Sequence, residues 1–312
     1  MRIVDADTVA DRLPYGELID ALSRAFEAGA RVPVRAHHAI EAEGRSTATL
    51  LLMPAWRDGG SVGVKIATVF PDNATRGLGA VHASYFLMDG LTGEPLAVLD
   101  GSELTLRRTA CASALASRHL SRADSRTLLM VGTGRLAPHL IRAHSVVRDL
   151  ERVVVWGRRD AAAHEMIKMM QPFGAELRVA SDLEEAVRSA DIVSCATLAS
   201  EPLVRGAWLR PGQHLDLVGA FTPAMREVDG DAVRKSRVAV DTYAGAFGEA
   251  GDILLAIDEG LIAREHVRAE LSELVRGEKT LRLAATDITL FKSVGTALED
   301  LAAAELVVAN NG

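Results

Sequence analysis

The sequence is poor in the features that mark several protein classes. It has only two cysteines, Cys111 and Cys195, each among small residues, so we expect buried free thiols and no disulfide scaffold. No stretch approaches the ~18 consecutive apolar residues of a membrane-spanning helix. The first residues also lack a basic region followed by an apolar one. We therefore expect a soluble, cytoplasmic protein that has no membrane partner.

An excess of positive charge is absent too. Lysine and arginine number 35 against 42 aspartates and glutamates, which gives a formal charge of −7. A chain of this sign does not favour a non-specific nucleic-acid surface. Apolar residues make up 48% of the 312 residues and charged residues 25%, which is typical of a globular protein with a sizeable core. The expected partner is a small molecule.

Signatures of hydrolases, dithiol enzymes and zinc enzymes are also missing. The sequence contains no G-x-S-x-G elbow and no CxxC pair. Its nine histidines show neither H-E-x-x-H nor H-x-x-E-H spacing. We predict no metal site.

The first part of the chain combines helices with a run of strands. Residues 5–28 predict two helical pieces divided at Pro14, the second of which ends at Gly29. Five segments with strand character follow, separated by turns rich in Gly, Asp and Pro: VRAHHAI, STATLLLMP, SVGVKIATVF, VHASYFLMD and EPLAVLD. Successive strands without intervening helices predict a largely antiparallel or mixed sheet. A helix opened by Ser102 comes next.

From about residue 124 the pattern changes to strands that alternate with helices. This alternation predicts βαβ units and a parallel sheet covered on both faces. The stretch LFKSVGTALEDLAAAELVV near the end reads as a helix that returns to the first part. The predicted fold is α/β, with a doubly wound parallel sheet at 124–290 inserted into a discontinuous α+β domain formed by 1–123 and 291–312.

A dinucleotide fingerprint opens the second part. LLMVGTGRLA at 128–137 fits G-x-G-x-x-G/A, follows an apolar strand and opens a helix, which is the setting of a Rossmann-type site. The glycines permit the tight turn and the approach of a pyrophosphate, and the helix amino terminus faces the anion. The residues that we assign to this site are Gly132, Thr133, Gly134, Arg135 and Leu136, together with Thr197, Val218 and Ser293 from later segments.

The end of the next strand distinguishes the two nicotinamide cofactors. An NAD site favours an acid there, whereas a 2′-phosphate favours arginine. Here Gly157, Arg158 and Arg159 stand in that place, and Asp160 follows. We predict NADPH as the cofactor. NADH stays possible, because Asp160 would serve as the acid if the strand ended later.

The stretch from residue 63 to residue 120 carries a dense set of motifs. They are GVK at 63–65, Pro71 with Asn73, Gly77-Leu78, Asp89 with TGEP at 92–95, and Leu104-Thr105 followed by Arg108-Thr109-Ala110. With these motifs, the GTG turn and the terminal FKSVGTALEDLAAA, the chain resembles the ornithine cyclodeaminase/mu-crystallin family over nearly its whole length. The resemblance implies a homodimer with a discontinuous substrate-binding and dimerisation domain. It also implies nicotinamide-dependent chemistry on amino and imino acids.

Three basic residues match the family's substrate contacts. The resemblance implies that Arg35 and Arg108 hold the substrate carboxylate and that Lys65 contacts the reacting part of the substrate. Arginine pairs bidentately with a carboxylate, and a lysine among apolar strand residues is expected to have a lowered pKa, useful for proton transfer. The plain alternatives are a solvated helix face for Arg108, an edge-strand lysine for Lys65 and a surface loop charge for Arg35.

One departure from the family pattern decides the predicted reaction. Cyclodeaminases carry a catalytic aspartate shortly after the glycine of the strand that reads HLDLVGAFTP here, and Phe221 occupies that place. Phenylalanine moves no proton, and Asp216 shares no strand face with it, so we interpret Asp216 as structural or cofactor-side. GAFTPAMREVD and DTYAGAFGEAGD are similar to the branch that reduces cyclic ketimines.

The resemblance thus implies NAD(P)H-dependent reduction of 1-pyrroline-2-carboxylate or 1-piperideine-2-carboxylate to L-proline or L-pipecolate, with Lys65 and Arg108 as the catalytic residues. The alternatives within the family are an ornithine cyclodeaminase and an L-amino-acid dehydrogenase of the alanine type. A non-catalytic, crystallin-like protein that only binds NADPH is a further alternative.

Overall fold

A computed structural model describes residues 1–310, and it describes Ala74 and Thr75 by their backbone alone. Contacts between Cα atoms divide the chain into two units. One consists of Met1–Arg108 and the segment that starts at Thr296, and the other is Thr109–Gly295. The sequence-based domain limits, 1–123 with 291–312 and 124–290, stay a prediction.

Strands and helices are numbered in chain order. The strands are β1 (Arg2–Val4), β2 (Ala36–Ile40), β3 (Ala48–Trp56), β4 (Ser61–Val69), β5 (Val81–Asp89), β6 (Pro95–Asp100), β7 (Thr127–Val131), β8 (Arg152–Trp156), β9 (Glu176–Val179), β10 (Ile192–Cys195), β11 (His214–Leu217), β12 (Arg237–Val240), β13 (Val267–Glu270) and β14 (Thr289–Lys292). The helices are α1 (Ala6–Arg12), α2 (Tyr15–Ala28), α3 (Gly101–Leu120), α4 (Ala137–Val147), α5 (Asp160–Met170), α6 (Leu183–Ser189), α7 (Gly230–Lys235), α8 (Tyr243–Glu249), α9 (Gly251–Asp258), α10 (Leu271–Val275) and α11 (Ala297–Ala309).

The first unit contains a six-stranded mixed sheet in the order β1-β6-β5-β4-β3-β2. Strands β2 to β6 pair antiparallel with their neighbours, and β1 pairs parallel with β6. The five predicted strands and the mixed sheet are confirmed. The short strand β1 was not predicted, because three residues are too few for a periodic signal.

The helical pieces at 5–28 are confirmed as α1 and α2, and Gly29 ends α2 with a φ of 75°. The prediction that Ser102 opens α3 is wrong by two positions. Asp100 caps this helix, because its carboxylate accepts the Glu103 N–H at 2.7 Å, and the helix begins at Gly101. A Cβ at Gly101 would lie 2.7 Å from the Ala83 carbonyl carbon, so only glycine fits at this start.

The predicted terminal helix is partly wrong. Thr289–Lys292, which includes the first residues of the LFKSVG stretch, forms β14. Gly295 then turns the chain with a φ of 81°, and the Thr296 hydroxyl caps α11. Helix α11 packs against α2 and against β3, β4 and β5 of the first unit. The strand was not recognised in the sequence because only two of its four residues, Leu290 and Phe291, are apolar, and so short a run shows no strand period.

The second unit contains an eight-stranded parallel sheet in the order β13-β12-β14-β11-β10-β7-β8-β9. Strands β7 to β11 have the doubly wound arrangement. From β7 the chain adds β8 and β9 on one side of the sheet and then returns to add β10 and β11 on the other, so the strand order reverses between β7 and β10. The apolar residues of the central strands β7, β10 and β11 are completely buried on both faces, as expected for a parallel sheet covered by helices. The predicted α/β class, with a doubly wound sheet and a second α+β part, is confirmed.

Cys111 and Cys195 are buried and free, as predicted. Within residues 1–310, no helix is both long and apolar enough to cross a membrane. In the same residues, no group of three or more His, Cys, Asp or Glu side chains is arranged to hold a metal ion.

Candidate functional site

A buried ion cluster in the first unit contains two of the predicted substrate residues. Lys65 lies on β4, in the row of the sheet that faces α11, and is 2% exposed. Its Nζ lies 2.9 Å from the Asp300 carboxylate and 3.4 Å from the Thr105 hydroxyl. The alternative of an edge-strand lysine that reaches solvent is therefore wrong, because β4 is a central strand and the ammonium group is buried.

Arg108 joins the same cluster from α3. Its Nε donates to Asp300 at 2.8 Å, and its Nη1 donates to Glu299 at 2.6 Å. Arg108 is buried, which excludes the alternative of a solvated helix face. Asp300 thus bridges the Lys65 ammonium and the Arg108 guanidinium, and it fixes both groups relative to each other.

Glu299 and Asp300 were not identified from the sequence. Both are completely buried on α11, where the other residues are apolar apart from Glu305. Acidic residues are rarely buried without partners. Two adjacent acids in the otherwise apolar ALEDLAAAELVV were the available signal that cations pack against this helix.

Burial is the main influence on the Lys65 ammonium. Burial and the positive charges of Arg108 and Arg35 together lower the Lys65 pKa to about 8, although Asp300 opposes them. Arg35, half-buried just before β2, is therefore close enough to act on Lys65. Burial also disfavours the charged forms of Arg108 and Asp300, but their mutual attraction outweighs it. The Arg108 pKa is raised and the Asp300 pKa is lowered.

Gly63, the first residue of the GVK motif, has a steric role. A Cβ at this position would lie 1.9 Å from the Tyr85 hydroxyl, so the buried ring fits only against glycine. Tyr85 lies on β5 directly opposite Lys65. The motif thus packs a large aromatic ring beside the buried ammonium group.

The fingerprint loop of the second unit fits a dinucleotide. Gly132 has a φ of 120°, and a Cβ there would lie 2.7 Å from the Ala196 carbonyl oxygen, so the turn requires glycine. Gly134 is exposed, and a Cβ there would meet nothing within 4 Å, which leaves room for a phosphate. The loop continues through Thr133, Arg135 and Leu136 into α4, whose amino terminus favours an anion.

The end of β8 carries no acid toward this loop. Gly157 is buried, and a Cβ there would lie 2.7 Å from the Thr133 side chain. Arg158 and Arg159 are exposed directly after it, and Asp160 is the first residue of α5. The two arginines are therefore placed beside the strand end where a ribose or a 2′-phosphate is recognised.

The other three predicted cofactor residues follow the ends of β10, β11 and β14. Thr197 donates to Glu227 through its N–H at 2.7 Å and its hydroxyl at 2.9 Å. The Val218 N–H donates to the Cys195 carbonyl, and the Ser293 hydroxyl donates to Asp241. Because carboxyl ends of parallel strands meet at one edge, these residues lie at the edge that the fingerprint loop also occupies.

Asp216 lies in the interior of the second unit, and Phe221 lies at the edge of its apolar core. Asp216 is completely buried, accepts the Ser194 hydroxyl at 2.7 Å and lies 3.2 Å from His144 Nε2. Phe221 is partly buried and packs against the apolar core. The arrangement supports the structural interpretation of Asp216, and Phe221 gives its position no acid–base group.

Known proteins are similar to this chain over most of its length. Protein SAR DEFICIENT 4 of Arabidopsis thaliana is 42% identical over 88% of this chain and 86% of its own length. The Delta(1)-pyrroline-2-carboxylate reductase of Colwellia psychrerythraea is 36% identical over 99% of this chain and 98% of its own.

Two solved structures share the fold. The Delta(1)-pyrroline-2-carboxylate reductase of Thermococcus litoralis, in complex with NADH and L-proline, superposes with a TM-score of 0.92 at 36% identity, covering 99% of this chain and 97% of that one. An archaeal alanine dehydrogenase dimer with bound NAD gives a TM-score of 0.91 at 30% identity, covering 99% and 95%. The sequence model of the ornithine cyclodeaminase/mu-crystallin family matches residues 3–311. This chain therefore belongs to the ornithine cyclodeaminase/mu-crystallin family.

Proposed function

We propose that this protein is a nicotinamide-dependent oxidoreductase that reduces a cyclic ketimine. The substrate is 1-pyrroline-2-carboxylate or 1-piperideine-2-carboxylate, and the product is L-proline or L-pipecolate. The observation that carries the proposal is the pair of buried cations, Lys65 and Arg108, held by one carboxylate of Asp300. The reductase activity of the relatives from Colwellia psychrerythraea and Thermococcus litoralis supports it.

The basic residues divide the work on the substrate. Arg108 and Arg35 hold the substrate carboxylate and fix the plane of the ring. Lys65, with a pKa of about 8, is protonated at neutral pH and donates a proton at the imine nitrogen. A bound reduced nicotinamide supplies the hydride to the imine carbon. In the second unit, the residues from Gly132 to Leu136 hold the pyrophosphate of that cofactor, and Thr197, Val218 and Ser293 line the other half of its site.

The direct test is oxidation of NADPH, and separately of NADH, by 1-pyrroline-2-carboxylate without ammonia. We expect rapid oxidation and formation of L-proline. Ammonia release from L-ornithine would instead identify a cyclodeaminase, and a requirement for ammonia would identify an amino-acid dehydrogenase. Tight NADPH binding with no turnover on either cyclic imine would contradict the proposal and favour a binding protein. The apolar Phe221 weighs against the cyclodeaminase.

The preference for NADPH over NADH belongs to the same proposal. Replacing both Arg158 and Arg159 by alanine is expected to raise the KM for NADPH about 10- to 100-fold, because charge-assisted hydrogen bonds to a phosphate contribute about 1.5–3 kcal/mol. The KM for NADH should change less than about threefold, since it has no 2′-phosphate. Arg152→Ala is the matched control, because this exposed arginine on β8 pairs with Glu176. Equal losses with both cofactors would contradict the preference.

A homodimer is the second part of the proposal, and the sheet of the first unit supplies the surface. The strand register places Pro54, Val64, Phe86 and Val98 side by side in one row. This row lies on the face opposite Lys65. Phe86 is 36% exposed, and Ile66 on the same face is 37% exposed. A continuous apolar face of this kind is typical of an interface, and two copies can bury it against each other around a twofold axis.

Phe86→Asp is expected to give a monomer. A carboxylate in the middle of an apolar interface loses its hydration without a partner, so the association weakens strongly. Light scattering after gel filtration should give a mass near 33.3 kDa for the variant and twice that for the wild-type protein. Leu91→Asp is the matched control, since Leu91 is exposed in the turn between β5 and β6. A variant that stays dimeric would place the interface elsewhere.

The cytoplasm is the location that we propose, and the two free thiols suit its reducing environment.

A further inference from the structure

We propose that Glu227 is a positioning residue of the nicotinamide cofactor site, because its buried carboxylate holds the loop after β10 and the loop after β11 at a fixed separation. The inference rests on the cofactor part of the proposed function. In a doubly wound sheet, loops at this edge receive the second mononucleotide half of the cofactor, while the fingerprint loop receives the first.

Both carboxylate oxygens of Glu227 accept hydrogen bonds from these loops. Oε1 accepts the Thr197 N–H at 2.7 Å and the Thr197 hydroxyl at 2.9 Å. Oε2 accepts the Gly219 N–H at 2.8 Å, and the Ala220 N–H lies 3.4 Å away. Each loop is thus attached to a different oxygen of the same side chain.

The two loops also touch directly. A Cβ at Gly219 would lie 2.1 Å from the Thr197 carbonyl oxygen and 2.2 Å from its backbone nitrogen. The backbones can pack this closely only because residue 219 is glycine. Backbone N–H groups in such a contact need an acceptor, since an unpaired buried donor is costly. Glu227 provides that acceptor for both loops.

A second pair of charges holds Glu227 itself in place. The Asp252 carboxylate accepts the backbone N–H groups of Glu227 at 2.6 Å and of Val228 at 3.1 Å. It also lies 3.0 Å from the Lys292 ammonium, at the end of β14 and next to Ser293. All three charged side chains are completely buried. The network therefore connects the carboxyl ends of β10, β11 and β14.

This arrangement is costly for the fold. Burial and the nearby Asp252 charge together raise the Glu227 pKa to about 7, although Lys292 and the backbone hydrogen bonds oppose the rise. Burial and the nearby Glu227 charge also raise the pKa of the Cys195 thiol at the end of β10. Replacing buried ions by apolar residues of similar volume often leaves the folded protein as stable as before, or more stable. Thus the carboxylate serves the placement of the loops, which an apolar residue could not fix.

The test is Glu227→Gln, which keeps the shape but turns an NH2 group toward one of the two loops. We expect the Kd for NADH to rise at least 10-fold, measured by isothermal titration without substrate, and the KM for the imine at saturating NADH to change less than twofold. Glu259→Gln is the matched control, because Glu259 pairs with the neighbouring Arg226 and touches neither loop. Asp252→Asn should also raise the Kd for NADH, and it serves as the second variant if Glu227→Gln does not fold.

The outcomes separate the two proposals. A Glu227→Gln protein that binds NADH like the wild-type protein, with only a lower melting temperature, would overturn the positioning role. A wild-type protein that binds NADH but reduces neither cyclic imine would overturn the proposed reaction and leave the positioning role in place. A rise in Kd for both Glu227→Gln and Asp252→Asn, with an unchanged Kd for Glu259→Gln, would support it.

Discussion

Replacing Lys65 by methionine is expected to lower kcat for ketimine reduction by about 10²- to 10⁴-fold, the usual contribution of a positioned general acid. Methionine has a similar length and no proton to donate. The imine nitrogen must then take its proton from water. The measurement is NADPH oxidation at saturating 1-pyrroline-2-carboxylate and pH 7. Turnover within twofold of the wild-type value would end the role assigned to Lys65.

The pH profile tests the same residue in a second way. In the proposed role, Lys65 acts as an acid in its protonated form, so activity should fall as the pH rises through about 8. Asp300 raises the Lys65 pKa, and an Asp300→Asn variant should therefore lose activity at a lower pH than the wild-type protein. Lys65→Met should lack this decrease and keep only the dependence that comes from the substrate's own iminium group. An unchanged profile in both variants would contradict the assignment.

The stability of the Lys65→Met variant separates a functional group from a structural one. Burial is the largest influence on the Lys65 pKa and acts against the charged form. Asp300 keeps its bond to Arg108 at 2.8 Å when Lys65 is removed. We expect a melting temperature equal to or above that of the wild-type protein. A group whose removal preserves stability but lowers turnover by orders of magnitude is retained for the reaction.

The sequence predicted the alternating half of the fold better than the site. Regular alternation of strands and helices, with a fingerprint at the first turn, specifies a doubly wound sheet through local pattern alone. β14 was not predicted because its conformation depends on its sheet neighbours β11 and β12. Both neighbours lie far away in sequence. Tertiary context thus overrode a segment whose local pattern was ambiguous.

The acidic half of the ion cluster was not predictable in the same way. Lys65 and Arg108 stand in recognisable motifs, whereas Asp300 is separated from Lys65 by 235 positions. Its partners become known only when α11 packs on β4. Glu227 is similar, because the backbone N–H groups that it accepts, those of Thr197 and Gly219, lie 30 and 8 positions earlier. Long-range ion pairs leave a composition signal but no spacing signal.

Replacing Arg108 by glutamine is expected to affect both activity and stability. Loss of the guanidinium should remove the proposed charge-assisted bonds to the substrate carboxylate, at about 1.5–3 kcal/mol each, so kcat/KM should fall about 100-fold or more. Glu299 and Asp300 also lose a partner, and a buried charge left without its partner costs about 3–5 kcal/mol. Steady-state kinetics and urea unfolding measure the two effects separately.

A double variant, Arg108→Gln with Glu299→Gln, distinguishes the two roles of the arginine. The second change removes the carboxylate that Arg108 neutralised, while Asp300 keeps Lys65 as its partner at 2.9 Å. Most of the lost free energy of unfolding should return. The activity should not return, because no guanidinium is present to orient the substrate carboxylate. Recovery of kcat/KM together with stability would mean that Arg108 serves only to balance Glu299, and the substrate carboxylate would then have to bind at Arg35 and Lys65.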